Sequence, residues 1–405
     1  MWARPVTLVN ARVLAADGGA SSVRFGARIL EIDGQPRRGD AVVDLEGAFV
    51  LPALINAHDH LELNHYGRLK CRERYGNALE WINDLRPRLQ GDGWIRARTA
   101  QPLAARLFIG GLKNLLAGTT TVAHHNPRYR EIGRAFPVRV VRRYGWAHSF
   151  ALERSPVGAR GEVGGDVCQR YRTTPARLPF IVHLAEGVDA AAAGEFGRLE
   201  SARCVESNTV LVHGVALTKE EWKRMVWRGA SLVWCPASNA FLFGRTPPVR
   251  QFLDVSDAAR GHLCLGSDSR ITGARDLLDE LRAAAVAAPL TSRELLRLVT
   301  KVPARILDLP DLGRVTPGAR ADLIVLPSAR NDHADALLDA SRRDLTLVTM
   351  DGQPMVGAAL FAPVFQARGV HSEQILVDGV PRLAEARLAR AIARNPIEEP
   401  GVTCV

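Results

Sequence analysis

Short apolar runs recur along the chain at 51–57, 180–182, 210–212 and 263–266, each followed by polar residues and then by a segment of helical spacing. Runs of this kind alternating with helices predict a parallel α/β arrangement, because strands covered by helices read as unbroken apolar stretches. Legible strands end near Ile55, Val122, Trp146, Val182, Val212, Trp234 and Leu265. An eighth is expected between 150 and 177, a stretch rich in Gly, Arg and Pro without a clean apolar run. The expected fold class is α/β: a (β/α)8 TIM-like barrel over 50–306, distorted at its fourth strand. Residues 1–49 read as short strands at 7–10, 11–14, 24–32 and 41–45 with Gly-rich turns, too short a stretch to enclose a core alone. Strand-like runs at 321–326 and 345–350 supply partners. A small β-sandwich domain built from both termini, 1–49 and 307–405, is therefore expected. A helix over 292–307 leads into its second part. The tail begins as a strand at 375 and continues to 394 as a helix with Ala384, Leu388, Ala391 and Ile392 on one face.

At 405 residues, 47% of them hydrophobic and 24% charged, the chain is long enough to bury such a barrel and a smaller unit. No apolar run reaches the roughly 18 residues of a membrane span, and Met1-Trp2-Ala3-Arg4-Pro5 lacks the apolar centre of a signal peptide. A cytoplasmic protein without a membrane partner follows as the expectation. Its six scattered cysteines fit reduced thiols better than a disulfide framework. The net charge of +10 raises the question of a nucleic-acid partner. Arginine supplies nearly all of that charge, and no basic tract is interleaved with aromatics, so genome composition accounts for it better than phosphate binding. The expected ligand is a small molecule, and a homodimer is the assembly to test.

Chemistry gathers where the apolar runs stop: His58-Asp59-His60, His183 with Glu186, His213 and Asp268. A barrel presents such groups from its strand ends at one mouth. Residues i and i+2 of an extended chain share a face, so His58 and His60 can reach one ion. Adding His183 and the Asp268 carboxylate gives a donor set suited to one divalent metal, zinc or alternatively iron, with room for a water. Plainer readings stand beside each residue. Glu186 at a helix start fits a solvated carboxylate favoured by the macrodipole; His213 fits a satisfied core histidine; Asp268 fits a turn-former before Ser269. After the second strand, one of His124 and His125 is expected to contact substrate while the other packs outward. His148, near the end of the third legible strand, is either a pocket residue or a histidine bonded to backbone. Asn239 is expected to brace the seventh strand end and to lie near substrate. Glu62, His65 and Arg68 fall in the first loop, where specificity is commonly decided. His262, His333 and His371 read as surface residues.

The ordered motifs resemble the amidohydrolase superfamily, in the branch of cytosine, guanine and adenosine-like deaminases and triazine chlorohydrolases. The matching segments are Asn56-Ala57-His58-Asp59-His60, Gly118-Thr119-Thr120-Thr121-Val122, His183-Leu184-Ala185-Glu186, Val212-His213-Gly214, Cys235-Pro236-Ala237-Ser238-Asn239 and Gly266-Ser267-Asp268. Pro303-Ala304-Arg305 and Gly318-Ala319-Arg320-Ala321-Asp322-Leu323 close the series. The resemblance implies a mononuclear site with His58, His60, His183 and Asp268 as ligands, Glu186 as proton shuttle, and His213 beside the water or the substrate. A binuclear relative would need a carboxylated lysine from the fourth strand, and no lysine lies between Lys113 and His183. Two departures stand out: Ala53 occupies a position that is usually glycine, and the segment from the second to the fifth strand is short.

The same roles follow from general chemistry. A divalent ion lowers the pKa of its water from 15.7 to about 7. Attack on an sp² ring carbon gives a tetrahedral centre that collapses once the leaving nitrogen is protonated. Glu186, with Asp268 sharing in the transfer, is placed to move that proton, and His213 to orient the nucleophile or donate to developing charge. The leading expectation is deamination of a heterocycle or amidine. Opening of a cyclic amide or imidazolone is the enzymatic alternative. A non-catalytic basic binding protein on the same scaffold is the alternative of another class.

Overall fold

Alternate residues of the central strands divide between two cores. Ile55, Ala57, Ala123, Ile181, Val210, Val212, Val233 and Cys264 share one apolar cluster. Their strand neighbours Phe180, Val182, Leu211, Leu232, Trp234, Leu263 and Leu265 join a second with Phe196, Leu199, Trp222, Phe252 and Leu281 of the surrounding helices. That is the period-2 signature of a curved parallel sheet with a filled interior and a helical coat. In the computed structural model, which describes residues 3–15, 18–133, 135–327 and 332–405, eight short parallel strands carry this pattern in two hydrogen-bonded arcs. Met1 and Trp2 of the N-terminal segment lie outside the described residues.

We number these strands β1 (Leu54–Asp59), β2 (Thr119–His124), β3 (Arg139–Val140), β4 (Gly145–Trp146), β5 (Phe180–Leu184), β6 (Thr209–His213), β7 (Ser231–Trp234) and β8 (Leu263–Leu265). They hydrogen-bond as an arc of three, β1 to β3, and an arc of five, β4 to β8. The Asp268 amide donates to the His58 carbonyl at 3.0 Å beside the β1/β8 seam. Among the described residues no ladder joins β3 to β4.

The expected strand between 150 and 177 is not there. That stretch holds a short turn at Phe150–Leu152, an antiparallel hairpin of Pro156–Val157 with Glu162–Val163, and the helix Val167–Thr173. The additional strand is β3, ahead of Trp146, so Trp146 ends the fourth strand and His148 follows that strand rather than the third. Both β3 and β4 are two residues long, which leaves too little apolar sequence for a pattern to show.

Helix starts after the strands are set by side-chain caps. Asp189 accepts from the Ala192 amide, Thr218 and Glu221 form a reciprocal capping box, and Asp276 accepts from the Leu278 and Asp279 amides. The segment 292–307 is two helices, Ser292–Leu298 and Lys301–Ile306.

Strands from both ends of the chain share one nine-stranded sheet, in which Phe49–Pro52 lies between Leu323–Leu326 and Arg12–Ala15. A four-stranded sheet of Val6–Val9, Val23–Phe25, Ile29–Ile32 and Ala41–Asp44 packs on it through Val6, Leu8, Phe25, Val50, Leu323, Val325 and Leu347. The run 24–32 is thus a bent hairpin rather than one strand, with an irregular register between Arg24 and Phe25. Ala384 belongs to the strand Val380–Glu385, and the tail helix begins only at Ala386.

Candidate metal centre

Four side chains predicted to ligate converge at the C-terminal ends of β1, β5 and β8. The Nε2 atom of His183 lies 3.3 Å from Nε2 of His60 and 3.3 Å from Nε2 of His58. Asp268 Oδ1 lies 3.9 Å from His58 Nε2 and 3.8 Å from His60 Nε2. Donors held at about 2.1 Å from a tetrahedral ion stand roughly 3.4 Å apart, so this spacing fits a single ion. Ligand atoms of His58, His183 and His213 also fall within 4.8 Å of one another. Both faces of β1 are used: an irregular register between Asn56 and Asp59 brings His58 and His60 inward while Asn56 and Asp59 turn to the helix Leu103–Leu116.

Tautomers follow from the outer hydrogen bonds. His183 Nδ1 donates to the His148 carbonyl at 2.8 Å, which leaves the Nε2 lone pair free. His125 Nε2 donates to the Ala147 carbonyl at 2.8 Å, so its Nδ1 can accept from His58 Nδ1 at 3.3 Å and free the His58 Nε2 in turn. His60 Nδ1 is buried without a partner. Burial first, and neighbouring imidazoles second, push His58 and His183 well below the ordinary histidine range, so both are neutral, the form that ligates. Asp268 is buried, which opposes its charge, but the His60 and His213 imidazoles and hydrogen bonds from Thr272 and Ser238 outweigh this and hold its carboxyl below the usual range. Its Oδ2 accepts from Ser238 and Thr272 hydroxyls at 2.8 Å each.

Three residues at strand ends carry left-handed backbone angles: Ala185 (φ 53), His213 (φ 73) and Asp268 (φ 51). Strict alternation after Val212 would carry His213 toward the helices. The left-handed turn instead sets its ring 5.4 Å from that of His183, and Nδ1 donates to Asn239 Oδ1 at 2.8 Å. Its Nε2 then faces Glu186 Oε1 at 3.5 Å. Glu186 has no arginine or lysine partner among the described residues; burial, then the charge of Asp268, pushes its carboxyl well above the ordinary range.

A cavity of about 360 Å³ opens over these groups. Its wall includes His60, His148, His183, Glu186, His213 and Asp268. His124, His125 and Asn239 are not on it. His125 stacks behind His183 with rings 4.2 Å apart, and Asn239 reaches the site only through His213. His124 Nδ1 accepts from the Leu61 amide and lines a separate 230 Å³ cavity. Both rings are buried, His124 against the Leu61 amide and His125 against the Ala147 carbonyl. His262 and His333 are half-buried rather than surface groups, His333 lying tilted against Phe49 and bonding to the Arg12 carbonyl, while His371 is exposed.

Sequence reasoning missed the support beneath the ligands. Lys113 and Asp59, both fully buried, pair at 3.0 Å. Asn64 Nδ2 and Asn114 Nδ2 each donate to Asp59 at 2.8 Å, and Lys113 donates to Asn64 Oδ1. Glu195 accepts the Ala185 amide at 2.7 Å and so holds the turn that presents Glu186; burial raises its own carboxyl to about 7.

Residues 176–355 match the Amidohydrolase family. A 5-methylthioadenosine/S-adenosylhomocysteine deaminase of Pyrococcus furiosus is 30% identical over 371 residues, covering 79% of this chain and 83% of that protein. This chain belongs to the amidohydrolase family. It is a hydrolytic enzyme of the group that acts on carbon–nitrogen bonds. An 8-oxoguanine deaminase of Pseudomonas aeruginosa is 26% identical over 425 residues, covering 86% of this amidohydrolase and 92% of its own length. In fold, the amidohydrolase is similar to the zinc complex of an atrazine chlorohydrolase from Arthrobacter aurescens, with a TM-score of 0.67 at 20% identity over 90% of this chain and 99% of that one. A zinc-bound adenosine deaminase from Xanthomonas campestris aligns with a TM-score of 0.62 at 19% identity over 90% and 98%. Among the described residues, no helix is long and apolar enough to cross a membrane.

Proposed function

We propose that this amidohydrolase deaminates a small heterocycle, with His58, His60, His183 and Asp268 holding one divalent ion, zinc in preference to iron. The observation that carries the reading is the convergence of three imidazole Nε2 atoms and one carboxylate oxygen beside a Glu186 that has no arginine or lysine partner among the described residues. When bound, the ion supplies Lewis acidity and a lowered pKa for water. Glu186, beside the ligands and facing His213 Nε2, takes a proton from the attacking water and delivers it to the leaving nitrogen. His213, fixed by Asn239 as the Nδ1–H tautomer, presents its Nε2 lone pair to that proton's path and orients the water. Asp268, held from behind by two hydroxyls, keeps its Oδ1 toward the same point. His148 contributes its carbonyl to His183 and its ring to the cavity wall. The zinc printed for two fold neighbours and the deaminase names of the relatives support the same reading.

Eight strands closing into one barrel over 50–306, with the sandwich drawn from 1–49 and 307–405, is the architecture we infer. The bond between Asp268 N and His58 O supports closure at one seam. A screen of aminopurines, aminopyrimidines, aminopterins and aminotriazines for ammonia release tests the function. Turnover is expected to vanish with chelation. In Glu186→Gln it is expected to fall about 10²- to 10⁴-fold with metal retained. Undiminished turnover in that variant, or a new carboxylate as product without ammonia, would overturn the reading.

A further inference from the structure

The cavity above the candidate metal centre is walled mainly by apolar side chains, among them Trp81, Leu85, Leu152 and Ile271. One charged side chain on that wall is out of keeping with it. Arg106, in the first turn of the helix Leu103–Leu116, is only 8% exposed, and its Nε is buried with no acceptor. No carboxylate lies within 4.0 Å of its guanidinium among the described residues, although nearly every other buried arginine of the chain has a partner: Arg270 and Arg342 share Glu399, and Arg368 and Arg382 bond to carbonyls. An always-charged group in an apolar wall is costly unless something completes it.

A second orphan points the same way. Asn126, 3% exposed and on the same wall, gives its Nδ2 to Glu62 Oε1 at 2.7 Å, which leaves Oδ1 as a buried acceptor without a donor. The wall thus offers one buried cation and one buried acceptor to whatever enters; its other arginine, Arg86, is exposed.

We propose that the substrate is an amino-bearing heterocycle carrying a single carboxylate, which Arg106 receives as a fork while Asn126 Oδ1 accepts a ring or substituent N–H. The fork geometry of guanidinium matches a carboxylate's two oxygens. With Arg86 exposed and screened by solvent, the one buried cation balances one charge, so a dianionic phosphate held at Arg106 would leave a charge uncompensated there. This deepens the deaminase reading and rests on it for the heterocycle, though not for the anion.

The test uses the intact chain with its metal and a series of aminopurine, aminopyrimidine and aminotriazine probes, each as the neutral parent, the carboxymethyl derivative and the phosphonomethyl derivative. Binding is read by calorimetry and turnover by ammonia release. At least one carboxymethyl probe is expected to bind about ten- to a hundredfold tighter than its parent. That preference is expected to disappear in Arg106→Gln and to return in part in Arg106→Lys. Because the native guanidinium has no partner to lose, Arg106→Gln is expected to melt no lower than the parent. The proposal fails if no carboxymethyl probe outbinds its parent, if the preference survives Arg106→Gln, if the phosphonomethyl probes bind tighter, or if Arg106→Gln melts markedly lower. An intact carboxylate preference without ammonia release from any probe would sink the deaminase reading and leave this one standing.

Discussion

Gly266 is where the candidate metal centre is most sensitive to a single methyl group. A Cβ built there would stand 2.6 Å from His58 Cβ, 2.9 Å from the His58 amide nitrogen and 2.8 Å from Val233 Cγ1. Carbon atoms pack at about 3.5–4.0 Å, so in Gly266→Ala the strand ends β1 and β8 must separate by roughly 1 Å. Overpacking of this kind costs about 1–3 kcal/mol. Ligand distances in a metal site tolerate only about ±0.2 Å, so the displacement of His58 acts on the metal more than on the fold. A loss of at least 10- to 100-fold in zinc affinity is expected, the range typical of disturbed outer contacts. Competition titration against a chromophoric chelator, with a thermal melt on the same sample, separates the two effects. Gly197→Ala is the control: it sits in the helix Ala190–Ser201 with nothing within 4 Å of its added carbon, and should gain about 0.5–1 kcal/mol with zinc affinity unchanged. Parental zinc affinity in a folded Gly266→Ala protein would refute the placement of His58 as a ligand.

Glu399 joins Arg270, two residues past Asp268, to Arg342 through contacts of 2.6–2.8 Å. Removing it strands the buried Arg270 guanidinium, while Arg342 keeps Asp378, so Glu399→Ala is expected to lose about 3–5 kcal/mol in denaturant unfolding, and a smaller loss would place the network in solvent. Asp40 accepts from Arg24, Thr7 and the Arg37 amide, and the Arg24 hydrogen bond leads the causes that lower its carboxyl to about 2. Its folded value lies below the unfolded one, so its contribution is present above about pH 4 and is lost as pH falls toward 2. Asp40→Asn should cost about 1–2 kcal/mol at pH 7 after allowance for solvent screening and should flatten the acid limb of the stability profile, which urea melts at stepped pH would read.

The parts of this site that the sequence makes legible are those that follow long apolar strands. His183 stands directly after, and Asp268 three residues past, runs whose every residue is buried, so their place at a mouth follows from pattern alone. Strand β3 was illegible because Arg139 and Val140 are all of it, and its misplacement shifted the numbering around Trp146 and His148. The direction of His213 was illegible for another reason: a left-handed φ overrides the alternation that a sequence reader must assume. The Lys113–Asp59 pair was hidden because a lysine in a helix reads as solvent-facing, and only tertiary packing shows that the helix turns it under β1. The different placements of His124 and His125 depend on which ring finds a carbonyl or an amide behind the strand, information that adjacent residues of the same type do not carry.

The pairing of Phe49–Pro52 with Leu323–Leu326 has a consequence for biosynthesis. About 270 residues separate the two strands, which at 5–20 residues per second is roughly 15–50 s of translation. Throughout that interval Phe49, Val50 and Leu51, all wholly buried in the finished protein, have emerged without the neighbour that covers one edge of them. The nascent chain therefore carries an adhesive strand directly ahead of the segment that holds His58 and His60. Its yield in cells should depend on chaperone supply and on translation speed more steeply than its final stability would suggest.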